Sequence, residues 1–452
     1  MFAKQSPEPT ISAEQAREEA GLVFARIVGK HPDAFWHTGD AEWQEAFQDL
    51  ARRTEPVSHA EHFFALAKFM SMAFDTHTQI YPEADTPGFQ TSYPIRFRLF
   101  EEGVYVTAAD EPYRDWVGLK LISVAGQPIE QVISNLATIS FADHPQRKRN
   151  WGVEYWMPHP AVYRHFGWMD QDGSVAVELA HPDGRTEQLR LKSTSQQSYD
   201  SISRSGSNTA YFWPKGWRTL NDLAQAPPPL SRSRLDENYW FTEIADGEMI
   251  YVQLNRPFDA AGGETLFDFW LRLFQQISAN HPKYKRLILD VRYDLGGSIS
   301  FSLPAPYLAH ASYLCCKPGG LVLLTGRETV SAGAVIVGEF ERASRPITIG
   351  EPTGSRPNIF YNHTQIPLPH SGLFAEASTS KYLATVESDK RVMIAPDMAT
   401  PESITAVLQG RDLALEAAIA LTSEQAEAFY SRGRNYESWI RPSQDAAQPI
   451  AQ

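Results

Sequence analysis

The stretch Leu321–Gly354, LVLLTGRETVSAGAVIVGEFERASRPITIGEPTG, decides the fold of this chain. The apolar run Leu321–Leu324 lies between glycine-containing turns, which predicts a short buried strand. Apolar residues at helical spacing follow, and a second apolar run, Ile347–Ile349, predicts another strand. Strands that alternate with helices indicate an α/β core with a mainly parallel sheet. The polar helix positions expected to face water are Glu339, Glu341 and Arg342.

Ser331 stands where this helix is expected to begin, just before the small residues Ala332 and Gly333. The first backbone N–H groups of a helix have no partner within the helix, and the helix dipole is positive at that end. A serine at this position has two possible roles. It can cap the helix, which is the common role, or it can attack a carbonyl group whose developing oxyanion the main-chain donors stabilise.

A second stretch, Arg286–Gly297 (RLILDVRYDLGG), predicts a strand that ends in a glycine turn. The two stretches, in this order, resemble the serine peptidase family of C-terminal-processing (tail-specific) proteases and the related tricorn proteases. Asp294 stands where the pattern of that family has Asn. The matching residues are Asp290, Arg292, Gly296, Gly297, Thr329, Ser331, Ala332, Gly350, Glu351 and Thr353.

The resemblance implies a crotonase-like (ClpP-like) core in which Ser331 is the nucleophile. It also implies that the N–H groups of Gly297 and Ala332 form the oxyanion hole. Acyl-enzyme chemistry of this kind requires no metal and no cofactor. The implied substrate is a peptide or a protein.

The lysine that acts as base in the tail-specific branch is missing here, so either the chain is inactive or another residue is the base. The aligned position falls at or beside Arg356, and no lysine lies between Ser331 and Lys381. A guanidinium does not lose its proton in a protein, so Arg356 cannot accept one from serine. The segment Phe74–Thr78 resembles the signature that carries the histidine base of the tricorn branch, and an imidazole titrates near neutral pH. We therefore expect His77 to be the base, against the alternative of a loop histidine bonded to Asp75 or Thr78.

A histidine base generally needs a carboxylate that orients it. Glu387 is the nearest match to the glutamate of the tricorn type, and Asp389 is its rival. Both residues precede the Pro396-Asp397 pair near the end of the expected core. A surface charge cluster is the alternative interpretation of both carboxylates.

Composition excludes several classes of function. The net charge is −13 over 452 residues, which argues against nucleic-acid binding. No apolar run is long enough to span a bilayer, so no transmembrane segment is expected. The two cysteines, Cys315 and Cys316, are adjacent and are read as buried thiols on a helix or strand. The N-terminal residues have no signal-peptide pattern, so the protein is expected to be either cytoplasmic or a mature exported form. The sequence does not indicate the oligomeric state.

The order of patterns along the chain predicts an α/β protein with an N-terminal helical domain and a β-rich insert. Within the insert, residues 117–129 resemble a PDZ signature, with a plain β-hairpin as the alternative. The expected domains are a helical domain at 1–85, a β-rich PDZ-like region at 86–193, a surface connection at 194–238, the α/β catalytic core at 239–425 and a tail at 426–452.

Taken together, these patterns predict a serine peptidase that acts through Ser331 and His77. Two alternatives share the same site. The first is a non-catalytic protein that binds a peptide or an apolar ligand on the same fold. The second is a hydrolase of small amides or esters.

Overall fold

The computed structural model describes residues 9–82, 86–192, 214, 216–315 and 317–431. Contacts between Cα atoms divide the chain into two compact units. The first unit is formed by Met1–Pro229, Phe360–Ser380 and Pro401–Arg411, and the second by Leu230–Ile359, Lys381–Thr400 and Asp412–Gln452, within the described ranges.

The second unit is built on a six-stranded sheet, here called the core sheet. Its first two strands are antiparallel and every other neighbouring pair is parallel, which confirms the mainly parallel sheet predicted from the sequence. The strands, in spatial order, are Tyr239–Ile244, Met249–Leu254, Arg286–Asp290, Leu321–Thr325, Ile347–Gly350 and Met398–Ala399.

Helices cover both faces of the core sheet, which explains the uninterrupted apolar runs of its strands. Leu321 and Leu323 join an apolar cluster with Phe269 and Phe340, whereas Val322 and Leu324 join a different cluster on the other face. Successive side chains of a strand point to opposite faces, so each run serves both layers. The helices are Leu266–Ala279, Ile299–Ser302, Pro304–His310, Ala332–Ala343, Leu413–Ala420 and Ser423–Ser431, with a 3-10 turn at Leu230–Arg232.

The helix Ala332–Ala343, here called the elbow helix, lies where the sequence predicted it. The expectation that Glu339 and Glu341 face water is wrong, because both are buried. The Tyr382 hydroxyl donates to Glu339 at 2.9 Å, and Arg391 donates to Glu341 at 2.6 Å. These partners come from a later segment of the chain, which satisfies the two carboxylates without solvent.

The first unit has a single large apolar core. A capping box begins its first helix, since the Ser12 hydroxyl accepts from the Gln15 amide at 3.2 Å. Its helices are Ala13–Lys30, Asp40–Ala51, His59–Met70, Ile129–Ala137, Pro145–Trp151, Pro160–His165 and Ile404–Leu408, with a π-helical turn at Gly152–Trp156 and 3-10 turns at Ser71–Ala73, Arg114–Trp116 and Leu220–Asp222.

An antiparallel sheet of seven strands forms the β-rich part of this unit. The segment that resembles a PDZ signature contributes the strand Lys120–Val124, a short strand and the helix Ile129–Ala137. The PDZ-like assignment stays a prediction. The seven strands are Ile95–Phe100, Gly103–Ala109, Lys120–Val124, Gln127–Pro128, Ser174–Ala180, Thr186–Lys192 and Arg218–Thr219.

A three-stranded antiparallel sheet joins distant parts of the chain within the first unit. Phe374–Ala377 pairs with Gln79–Tyr81 on one side and with Thr364–Ile366 on the other. Residues 360–380 and 401–411 belong to the first unit. The sequence patterns assigned both segments to a core at 239–425. The pairing fixes the end of the loop that carries His77. Two further strands, Thr10–Ile11 and Val57–Ser58, pair separately.

Several residues singled out from the sequence lie in turns or outside the described ranges. Cys315 is buried as expected, but it lies in a turn rather than on a helix or strand. Cys316 and the residues after 431 lie outside the described residues, as does most of 194–215. In the described ranges, no helix combines the length and apolar character needed to cross a bilayer.

Candidate active site

Ser331 lies in a strained turn between a core strand and the elbow helix. Its backbone has φ 56° and ψ −122°, in a region that side-chain-bearing residues rarely adopt. Although Ser331 occupies the N-cap position, its side chain makes no capping hydrogen bond. The common capping role is therefore not the one observed. A serine on a sharp strand-to-helix turn is the arrangement that exposes the nucleophile in α/β-hydrolases.

The glycine turn, Asp294–Gly297, lies directly against this serine. A Cβ atom at Gly296 would come 2.5 Å from the Ser331 Cβ and 2.9 Å from its Oγ, so only glycine fits there. The Val330 amide donates to the Asp294 carbonyl oxygen at 2.9 Å. The approach of Gly296 to Ser331 thus depends on the absence of a side chain at 296.

Two backbone amides beside Ser331, those of Gly297 and Ala332, have no acceptor among the residues that the structure describes. Gly297 has φ 150°, and a Cβ there would come 2.4 Å from the Phe258 ring. Gly297 follows the glycine that touches Ser331, and Ala332 follows Ser331 itself. The two amides are therefore available as donors beside Ser331, and their role as an oxyanion hole stays a prediction.

Asp294 is completely buried in the glycine turn. Its Oδ1 accepts from the Gly296 amide at 2.8 Å, and its Oδ2 has no hydrogen-bond partner among the described residues. Burial raises the pKa of Asp294 to about 8, although the Gly296 amide acts in the opposite direction. The carboxyl group is therefore mostly protonated at neutral pH, so it is uncharged like the side chain of an asparagine.

The Asp-x-Arg part of the motif forms a buried ion-pair network. The Arg292 guanidinium donates to Asp290 at 2.6 Å and to Asp412 at 2.7 Å. Burial alone raises the pKa of Asp412, but Arg292 and the Ser231 hydroxyl lower it to about 2. Arg292 thus holds the end of its strand to the N-cap of the helix Leu413–Ala420. The role of this motif residue is structural.

The two carboxylates proposed to orient the histidine have different surroundings. Glu387 is exposed, whereas Asp389 is buried. Asp389 accepts from Arg391 at 2.8 Å and from the Thr385 hydroxyl at 2.7 Å. Asp389 is therefore committed to an ion pair in the second unit. Glu387 stays a prediction.

His77 lies in the first unit, in the loop that follows the 3-10 turn Ser71–Ala73. Phe74, at the start of this loop, has φ 45°, which reverses the chain. The His77 amide donates to Asp75 Oδ1 at 3.0 Å, and the His77 Nδ1 atom lies 3.9 Å from the same oxygen. The imidazole is 16% exposed, so solvent reaches it.

Asp75 lies at the centre of a buried hydrogen-bond network. The sequence indicated Asp75 only as a possible partner of a loop histidine. The hydroxyls of Thr78 and Ser378 each donate to its Oδ2 at 2.6 Å, and His31 Nε2 lies 3.2 Å from it. Burial alone raises the pKa of Asp75, but these partners and the charge of His77 hold it below its usual value. Asp75 is therefore a second candidate to orient His77.

A second histidine lies beside His77. The rings of His77 and His363 are nearly parallel, with centroids 6.4 Å apart, and His363 Nε2 lies 3.2 Å from Glu376. His363, Glu376 and Ser378 are about 300 residues from His77 in sequence, so no local pattern associates them. In the sequence, the only sign of this cluster is that Asp75 lies two residues before His77.

Arg356, which the sequence alignment places at or beside the lysine position of the tail-specific branch, is buried. Among the described residues, no group of three or more histidine, cysteine or acidic side chains is arranged to hold a metal ion.

Comparison with known proteins gives structural matches only. No family model and no curated protein matches the sequence. The chain is similar to mature CPAF complexed with lactacystin, with 13% identity, a TM-score of 0.60, and coverage of 92% of this chain and 99% of that one. It is also similar to the CPAF S499A mutant, with 12% identity, a TM-score of 0.61, and coverage of 94% and 99%. The likeness extends over nearly the whole length of both chains and supports a shared mixed α/β fold.

Proposed function

We propose that this protein is a serine peptidase that cleaves peptide bonds through an acyl-enzyme on Ser331. The observation that carries the proposal is the strained Ser331 turn, with two unpaired amide donors beside it among the described residues. Backbone strain of this kind persists where the surrounding structure enforces it, and it concentrates at functional sites. The similarity of fold to CPAF is consistent with this proposal.

In the proposed reaction, His77 accepts the hydroxyl proton as Ser331 Oγ attacks the carbonyl carbon of the substrate. The amides of Gly297 and Ala332 donate to the oxyanion. The proton then passes from His77 to the leaving amine, and the C–N bond breaks. Water, deprotonated by His77, hydrolyses the ester of Ser331 and restores the enzyme.

The carboxylate that orients His77 is either Glu387, the choice favoured by sequence resemblance, or Asp75, the choice supported by its distance of 3.9 Å from His77. A protonated His77 gains from a nearby negative charge in either case. Variants of the two residues separate these possibilities.

The proposal is tested with a fluorophosphonate probe and a peptide library. We expect the wild type to incorporate the probe at Ser331 and to cleave a subset of peptides, and we expect Ser331→Ala to lose both by at least about 10³-fold. The matched control is Ser302→Ala, since Ser302 is a buried serine in the same unit whose hydroxyl has no partner among the described residues. Lactacystin, present in the CPAF structure, is added as a competitor.

Two outcomes would contradict the proposal: undiminished cleavage by Ser331→Ala, or a wild type that neither labels nor cleaves. The second outcome would favour the binding function. The absence of the lysine of the tail-specific branch, whose aligned position falls at or beside Arg356, supports that alternative. Cleavage of small esters or amides without cleavage of any peptide would favour the hydrolase of small substrates.

A further inference from the structure

We propose that Asp294 acts as a neutral carboxylic acid that positions Ser331 and the glycine turn, and that its ionisation in alkaline solution inactivates the site. This inference rests on the proposed function, because the measured activity is that of Ser331. Asp294 is a positioning residue, since it acts through Gly296 and the elbow helix rather than on a substrate.

Asp294 links the two halves of the site. Its side chain accepts the Gly296 amide at 2.8 Å, and its backbone carbonyl accepts the Val330 amide at 2.9 Å. A Cβ atom at Gly333 would come 2.4 Å from the Asp294 carbonyl oxygen and 3.1 Å from its Cγ. The glycine turn and the first turn of the elbow helix therefore meet at this residue.

The surroundings of Asp294 do not compensate a negative charge. In the described ranges, no charged side chain forms a hydrogen bond or an ion pair with it, and its Oδ2 has no partner. In its own segment, Arg292 pairs with Asp290 and also with Asp412. A buried carboxylate with one donor is strongly disfavoured relative to the acid.

The charged residues of the elbow helix are also engaged elsewhere. Glu339 pairs with Arg342, and Glu341 pairs with Arg391. The N-terminal end of this helix, which faces Asp294 at Gly333, favours a negative charge through its dipole. Burial opposes that effect and is the larger influence, so the pKa of Asp294 is raised to about 8.

Ionisation of Asp294 has a structural consequence. The charge gains free energy if water reaches Oδ2, which requires the glycine turn to open away from the elbow helix. Such an opening separates Gly296 and Gly297 from Ser331. Reactivity of Ser331 is then lost with the proton of Asp294, even though Asp294 does not touch the substrate.

The test compares wild type, Asp294→Asn and Asp294→Leu over pH 6 to 10, with the rate of fluorophosphonate labelling at Ser331 as the readout. For one group with a pKa of about 8, the wild-type rate should fall about tenfold between pH 7 and pH 9. Asp294→Asn keeps an acceptor for Gly296 but cannot ionise, so its rate should not fall. Asp294→Leu lacks the acceptor and should label slowly at every pH.

An alkaline loss of equal size in wild type and Asp294→Asn would overturn the inference, as would its absence in the wild type. If the wild type does not label at any pH, the proposed function fails and urea unfolding supplies the readout. The folded-state pKa is raised, so the carboxyl group of Asp294 stabilises the fold fully below about pH 4 and loses this contribution as pH rises to about 8. The unfolding free energy of the wild type, relative to Asp294→Asn, should therefore decrease between pH 4 and pH 8. No such decrease would refute a neutral Asp294.

Discussion

The backbone amide of Ser331 donates a hydrogen bond to the hydroxyl of Ser355, 3.2 Å away. Ser355 is completely buried, and its carbonyl oxygen accepts from the Thr353 hydroxyl at 2.7 Å. The Thr353 hydroxyl in turn accepts the Ile394 amide at 2.8 Å. A chain of hydrogen bonds thus holds the strained Ser331 backbone through segments outside its own helix.

Replacing Ser355 by alanine should weaken the strained turn. The substitution removes the hydroxyl that accepts from the Ser331 amide, and the loss of a partly buried hydrogen bond of this kind costs about 0.5–1.5 kcal/mol. We expect a lower unfolding free energy by this amount in urea and slower labelling of Ser331 by a fluorophosphonate. Ser302→Ala is the control, because it removes a buried hydroxyl that has no partner in the described ranges. Equal effects of the two substitutions would show that the Ser355 bond has no particular role.

His77 is expected to be required for activity, and His363 supplies the matched control. His77→Ala should reduce kcat by roughly 10²–10⁴-fold, the usual contribution of a general base. His363 lies beside His77 and its side chain is 48% exposed, so His363→Ala tests whether any histidine at this surface suffices. Steady-state cleavage of the best library peptide gives the comparison. Full activity of His77→Ala would remove this residue from the mechanism.

The orienting carboxylate is identified by comparing Asp75→Asn with Glu387→Gln. If Asp75 orients His77, its substitution should reduce kcat by up to about 10⁴-fold, and Glu387→Gln should leave kcat unchanged. The reverse pattern would identify Glu387. Asp75→Asn also disturbs the buried network, so Ser378→Ala is measured in parallel. That variant removes a hydrogen bond to Asp75 but retains the carboxylate.

The pH dependence of stability should contain a contribution from Asp412. Its pKa is lowered to about 2, so the stability it contributes is present above its unfolded pKa near 4 and is lost as the pH falls toward 2. The loss amounts to about 2 kcal/mol for one carboxylate. Urea unfolding of wild type and Asp412→Asn between pH 2 and pH 5 measures it. A slope that Asp412→Asn does not reduce would contradict this assignment.

The sequence patterns predicted the core well where local composition reflects burial on both sides. Leu321–Leu324 is apolar at every position because helices cover both faces of its strand. Glu339 was assigned to water because a helical pattern shows which residues are polar but not which distant residue will pair with them. The same limit applies to Asp75, whose partner Ser378 is 303 residues away.

The site itself was only partly predictable. The motif order singled out Ser331, Gly297 and Ala332, and the structure places Ser331 in a strained turn against Gly296, while the catalytic roles of the three residues stay predictions. The backbone conformation of Ser331 and the protonation of Asp294 depend on tertiary packing, so they have no signature in the sequence. The association of His77 with Ser331 remains a prediction.

Arg391 joins two buried carboxylates, Asp389 and Glu341, and its removal should be among the most destabilising changes in the second unit. Arg391→Met removes the cation that pairs with both carboxylates, and breaking a buried ion pair in this way costs roughly 3–5 kcal/mol. The control Lys285→Met breaks the exposed pair with Glu248 and should change stability by less than about 1 kcal/mol. Both values come from urea unfolding at pH 7.

A separate variant, Asp389→Asn, decides whether Asp389 orients His77. As a partner of Arg391, it stabilises the segment that also carries Glu387, and its two oxygens are occupied by Arg391 and Thr385. We therefore expect Asp389→Asn to lower the unfolding free energy while the folded enzyme retains its kcat and its pH profile. A kcat that falls at a temperature where Asp389→Asn is fully folded would assign this carboxylate to the orientation of His77 instead.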